Sequence, residues 1–138
     1  MITAVLIGAG QRGAQTYGEY ALAHPGEMKI VAVAEPNEER RKEFAGKHQL
    51  DKKYVYADWK DLFQAGKIAD CAMVCTQDRF HTEPVKEALK LGYHVLCEKP
   101  MSPDAKECIE MGNYAEKYNK TLTICHVLRY SPFFTALK

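Results

Sequence analysis

Short apolar runs rich in Val, Ile and Ala alternate along this chain with longer segments whose apolar positions recur at helical spacing. Runs such as VAVA (Val31 to Ala34) and CAMVC (Cys71 to Cys75) show no polar alternation, which suits strands covered on both faces. The pattern predicts strands at Ala4 to Gly8, Lys29 to Glu35, Tyr54 to Ala57, Cys71 to Cys75, His94 to Cys97 and Leu122 to Cys125. Strands of this kind alternating with helices predict the α/β class: a doubly wound parallel sheet in a three-layer αβα arrangement with about six strands.

Boundary signals agree with that division. Asn37 is placed to cap a helix whose first turn carries Glu38 and Glu39, where negative charge meets the positive end of the helix dipole. Asp58 is expected to cap a short helix ending near Gly66, and Thr82 one that stops at Gly92. Ser102 followed by Pro103 is expected to open another, running to about Asn119. Beyond the last strand, Ser131 and Pro132 signal a helix start, and Phe133, Phe134 and Leu137 follow without an obvious partner. The division expected is a dinucleotide-binding domain over residues 1–125, with 126–138 beginning a connection to a further, substrate-binding domain.

Composition narrows the class. The 138 residues are 46% hydrophobic and 27% charged, the balance of one soluble globular domain. The 19 basic and 18 acidic residues leave a net charge of +1, without the basic run that tracks a phosphate backbone, so no nucleic-acid partner is expected. MITAVLIGAG lacks a charged secretory leader and is too short to span a bilayer, so the expectation is no membrane association and a cytoplasmic location. Five cysteines, Cys71, Cys75, Cys97, Cys108 and Cys125, form no CxxC pair. They read as small core residues, with neither disulfide nor metal expected.

Gly8, Gly10 and Gly13 make a GxGxxG turn between the first strand and the first helix. Gly8 permits the tight turn, Gly10 lets a pyrophosphate approach the backbone, and Gly13 allows close helix–strand packing. Gln11 and Arg12, within the same turn, join the glycines as candidate cofactor contacts. Glu35 lies 22 residues past Gly13, at the end of the second strand, where a carboxylate accepts hydrogen bonds from an adenosine ribose. A carboxylate there repels a 2'-phosphate, so NAD is expected over NADP. Arg40 and Arg41 weigh the other way, since either arginine reaching a phosphate would favour NADP.

The second constellation is Glu98, Lys99 and Pro100, directly after the strand HVLC and so at the carboxyl edge of the sheet. Oxidising a secondary alcohol removes a hydride from carbon and a proton from oxygen, and a lysine can assist with that proton. On its own the pair also reads as an ordinary surface ion pair.

In GAGQRG, EALKLGYHVLCEKPMS and HVLRYSPFF, and along essentially its whole length, the chain resembles the N-terminal NAD(P)-binding Rossmann domain of the Gfo/Idh/MocA oxidoreductases. The resemblance implies an enzyme that moves hydride between nicotinamide and a secondary alcohol of a sugar, polyol or cyclitol, in a longer, homo-oligomeric protein. It implies that Lys99 reaches the substrate hydroxyl as the catalytic group and that Glu98 lies beside the nicotinamide ribose. It also places Thr76, Gln77 and His81 along the dinucleotide. Asp78 departs from the family, where an asparagine is common, and cannot donate as an amide does. His126, Arg129 and Tyr130 are left between a site role and a domain junction. The 138 residues alone are expected to bind NAD weakly and turn over nothing.

Three other readings fit parts of the pattern. An NAD-retaining glycosidase of the same family, a non-catalytic NAD-binding regulator and a methyltransferase would all use the glycine turn. The last has no need of the Glu98–Pro100 segment.

Overall fold

The computed structural model describes residues 1–137; Lys138, the last residue of the expected 126–138 connection, lies outside them. Six parallel strands form one sheet: β1 Ile2–Ile7, β2 Met28–Ala34, β3 Val55–Tyr56, β4 Cys71–Val74, β5 His94–Cys97 and β6 Leu122–Ile124. Their order across the sheet is β3-β2-β1-β4-β5-β6, so the winding reverses between β1 and β4. This is the doubly wound Rossmann-like fold that the unalternated apolar runs predict.

Buried side chains separate onto the two faces of the sheet. Val5 and Ile7 of β1, Ala72 and Val74 of β4, and Val95 and Cys97 of β5 pack against Leu62, Val85, Leu89 and Met111. These come from α3 (Trp59–Gln64), α4 (Thr82–Lys90) and α5 (Ala105–Lys117). On the opposite face Ala4, Leu6, Ile30 and Val33 meet Ala21 of α1 (Glu19–Ala23) and Phe44 of α2 (Glu38–Lys47). The pairing of β1 with β2 skips Val31, which puts Val31 and Ala32 on the same face before the alternation resumes.

Expected strand bounds run one residue long at Gly8, Glu35, Cys75 and Cys125. Each of these sits just past the last strand residue, with its amide donating to a carbonyl of the neighbouring strand. Asn37 and Asp58 cap as expected, accepting from the Arg40 and Lys60 amides. Two caps are corrected. Thr82 is the first residue of α4, and its hydroxyl donates to Glu107 at 2.7 Å. Asp104, rather than Ser102, caps α5, which ends at Lys117; Ser102 instead donates its hydroxyl to Glu107.

The cysteines are all free; Cys97 is fully buried and Cys71 and Cys75 pack half-buried against the core, while Cys108 and Cys125 are half-buried outside it. After β6, a tight 3-10 turn (Val127–Tyr130) leads into α6 (Pro132–Ala136), and Phe133, Phe134 and Leu137 are exposed. No helix among the described residues is long and apolar enough to cross a membrane.

Tyr93 shows how the α4–β5 connection is held. Its ring is fully buried, and its hydroxyl accepts from the Ile68 amide at 2.9 Å and donates to the Gly66 carbonyl at 3.0 Å. Tyr93→Phe leaves both backbone groups without their partner and is expected to cost about 1–3 kcal/mol, read as a lower urea midpoint.

Candidate functional site

The site is built from residues that leave the strands at their carboxyl ends. Gly8 adopts φ +93, and a Cβ there would come within 2.6 Å of the Cys75 carbonyl oxygen, so the end of β1 abuts the end of β4 at the point of reversal. Gly13 is tighter still, since its Cβ would lie 2.0 Å from the Gly8 carbonyl oxygen. A Cβ on Gly10, by contrast, meets nothing within 4 Å. The three glycines thus divide as expected, two making room for backbone and one facing open space. The first helix begins at Gln11, and Ala14 donates to the Gly10 carbonyl, so the amides of Gln11, Arg12 and Gly13 precede the first closed turn.

Beside Gly10 opens a cleft of about 600 Å³. Of the candidate residues, Gly8, Gly10, Glu35, Arg40, Thr76 and Gln77 line it. Its apolar walls include Trp59, next to the cap of α3, and Phe80, in the turn before α4. Neither aromatic was legible as a site residue, because only the packing of α3 beside the turn preceding α4 brings them to one opening.

Glu35 is buried, and both of its carboxylate oxygens are engaged. One accepts from the Ala9 amide at 2.7 Å and the other from the Asn37 amide at 2.9 Å. It therefore braces the glycine turn against the end of β2 while lining the cleft. Arg41 turns inward to the Glu35 and Pro36 carbonyls, which leaves exposed Arg40 as the guanidinium at the rim.

Glu98 is also buried, and its Oε1 accepts from the Tyr17 hydroxyl at 2.6 Å and from Arg12 Nε at 3.0 Å. Burial works to raise its pKa, but hydrogen bonds from Tyr17 and Arg12, together with the Arg12 charge, outweigh it and hold the carboxyl below its ordinary value. The Lys99 amide donates to the other oxygen, Oε2, at 3.3 Å. Lys99 is exposed at the same edge of the sheet, and the Lys99–Pro100 bond is cis. The glycine turn and the Glu98–Pro100 segment are thereby brought into direct contact.

Two candidate positions differ from a simple cofactor-facing role. His81 is fully buried, with Nδ1 2.9 Å from the Pro100 carbonyl oxygen and Nε2 3.1 Å from that of Thr76, so it links two site loops from behind. Arg12 is spent largely on Glu98 rather than standing free for a phosphate. Gln11 lies beside Gly10 on a neighbouring groove between the first helix and α2. Asp78, His126, Arg129 and Tyr130 are exposed. No cluster of three or more His, Cys, Asp or Glu side chains suited to a metal occurs among the described residues.

The Gfo/Idh/MocA family, described as an oxidoreductase family with an NAD-binding Rossmann fold, matches residues 2–126. D-glucoside 3-dehydrogenase of Escherichia coli is 32% identical over 120 residues, covering 85% of this chain and 32% of that protein. The WlbA dehydrogenase of Chromobactrium violaceum, solved with NADH and UDP-GlcNAcA, superposes with a TM-score of 0.90 at 23% identity, over 99% of this chain and 38% of that one. The 3-ketoreductase KijD10 of Actinomadura kijaniata, solved with NADP, gives 0.84 at 20% identity, over 99% and 42%. The chain thus spans about a third of the length of the curated relatives it matches.

Two outcomes test this geometry. Gly10→Ala is expected to change unfolding free energy by less than about 1 kcal/mol, whereas Gly13→Ala costs more than about 2 kcal/mol, both read by urea denaturation. The Glu98 carboxyl is held lower folded than unfolded, so its contribution to stability is complete above its ordinary value of 4.5 and is lost as pH falls through the folded value. Glu98→Gln should flatten that acid limb in melts recorded across the acidic range.

Proposed function

Since this chain belongs to the Gfo/Idh/MocA oxidoreductase family, we propose that it is the NAD-binding portion of a dehydrogenase acting on a secondary alcohol of a sugar, polyol or cyclitol. The observation that carries the reading is the contact of Arg12 in the glycine turn, and of Tyr17 in the helix it opens, with Glu98 at the carboxyl edge of the sheet.

The residues present fit a dinucleotide. The open space at Gly10 and the first amides of the helix suit a pyrophosphate, because unpaired N–H groups and the helix dipole both favour negative charge there. The cleft bounded by Glu35, Thr76, Trp59 and Phe80 suits an adenosine, with apolar walls for the base and the braced carboxylate for ribose hydroxyls. Gln77 lies farther along the same wall, and His81 acts by holding the Thr76 and Pro100 backbones in place. When bound, the nicotinamide accepts or donates the hydride. Lys99 is the residue we assign to the substrate hydroxyl, where its side chain holds or accepts the proton. Glu98 sits next to it, at the nicotinamide ribose.

NAD is the cofactor we assign over NADP, on the ground that the Glu35 carboxylate faces the position where a 2'-phosphate would stand. Residues 1–125 form the cofactor domain in this reading, and 126–138 lead to a substrate domain of a homo-oligomeric protein. Five unpaired thiols suit the reducing cytoplasm.

Calorimetric titration should show saturable NAD binding, with NADP weaker by about tenfold or more, since roughly 1 kcal/mol of repulsion per unit charge acts on a phosphate carrying about 1.5 to 2 charges. Equal or tighter binding of NADP reverses the cofactor assignment, and failure of both to bind removes the proposal. In the longer protein, Lys99→Ala is expected to lower kcat by about 100-fold or more while NAD affinity is retained.

A further inference from the structure

The first helix is wound unusually at its start, as a π-helix over Gln11–Gly18 before α1 continues it. Residues five apart lie about 140° apart around an α-helix, pointing to different sides. A π-helix closes its turns from i to i+5 and stacks such residues on one face. Arg12 and Tyr17 are five apart, and both reach the same carboxylate oxygen of Glu98, at 3.0 Å and 2.6 Å. The Arg12 guanidinium also lies 5.6 Å from the centre of the Tyr17 ring. Glu98 Oε2 meanwhile receives the Lys99 amide. A single buried carboxylate therefore connects the π-wound helix on one oxygen to the backbone of Lys99 on the other.

We propose that Arg12 and Tyr17 are positioning residues, held on one face by the π winding so that together they fix Glu98 and, through it, the Lys99 segment at the nicotinamide end of the crevice. Neither is assigned a contact with substrate. For its ligand the inference rests on the dinucleotide reading above; the clamp itself does not depend on it. The chemistry suits holding rather than proton transfer. Burial first, and then the neighbouring Cys125 thiol and Glu98 carboxylate, raise the Tyr17 phenol, keeping it a donor to Glu98. The hydrogen bond to Glu98 raises the Arg12 guanidinium, so the pair stays charged. Besides Lys99, the next residue in the chain, the titratable groups near Glu98 are thiols: Cys75 and Cys97 are both raised, chiefly by burial and then by the Glu98 charge, Cys97 to about 12. Cys125 accepts from Arg12 at 3.7 Å. No second cation competes with Arg12 for Glu98 among the ion pairs of the described residues.

The test uses this chain with carbon-13 at the glutamate carboxyls and nitrogen-15 at the amides. In the unaltered chain Glu98 should titrate below an ordinary glutamate, and the Lys99 amide resonance should follow the same curve. Tyr17→Phe and Arg12→Gln should each raise the Glu98 titration, and Arg12→Lys should restore part of the effect. Affinities for ADP-ribose and NADH are then compared by calorimetry. The proposal expects ADP-ribose binding within twofold of the unaltered chain and NADH binding weakened on the order of tenfold, the scale of one hydrogen bond to a charged group. Parallel loss of both ligands marks a general structural effect and overturns it, as does an unmoved Glu98 titration or unchanged NADH affinity. If the unaltered chain binds neither ligand, the dinucleotide reading fails, and the NMR titration alone still decides whether Arg12 and Tyr17 hold Glu98 and Lys99.

Discussion

The closest constraint in this molecule is backbone against backbone at the reversal of the sheet. Gly13 sits where any side chain would run into the Gly8 carbonyl, and Gly8 sits where any side chain would run into the Cys75 carbonyl. The first helix can approach β1 only because of one glycine, and β1 can approach the end of β4 only because of the other. That stack sets the depth and opening of the crevice. It also aims the start of the first helix along the carboxyl edge of the sheet, where every candidate group of the site is found.

Around this stack the strands deliver their next residues in a fixed row. Gly8, Glu35, Cys75, Glu98 and Cys125 each follow a strand directly, and each amide is held by a neighbouring strand's carbonyl. The row carries two buried carboxylates, on opposite sides of the glycine turn. Glu35 grips the turn through the Ala9 amide, and Glu98 grips the helix that follows through Arg12 and Tyr17. Burying a charge is tolerable only where it is paired or well hydrogen-bonded, and both meet that condition within the protein. The two acids thus brace the turn from either side while bordering the space assigned to a ligand.

Much of this was legible. The apolar runs located all six strands to within about two residues at each end, and Asn37 and Asp58 announced their helices, because a strand covered on both faces and a capped helix end are local requirements. Thr82 and Ser102 misled for an instructive reason: each has a capping hydroxyl, but Glu107, in the first turn of the helix that follows Ser102 and 25 residues beyond Thr82, takes both as hydrogen-bond donors. His81 read as a residue along the dinucleotide; that its ring is fully buried between the Thr76 and Pro100 carbonyls was not legible, since those carbonyls belong to loops following different strands. Trp59 and Phe80 gave no signal, as isolated aromatics carry no period.

What the amino-acid order determined by itself is the class of fold, the crossing order of strand and helix, and the need for glycine at the turn. These follow from periodicity and from backbone sterics within a few residues. The tertiary structure alone decided the partners: that Arg12 and Tyr17 share Glu98 across more than eighty residues, that Glu35 is engaged at both oxygens, and that His81 faces inward. A charged or polar side chain has many chemically equivalent partners in the sequence. Which one it meets depends on strand order and helix winding, and those exist only once the sheet has closed and the helices have packed upon it.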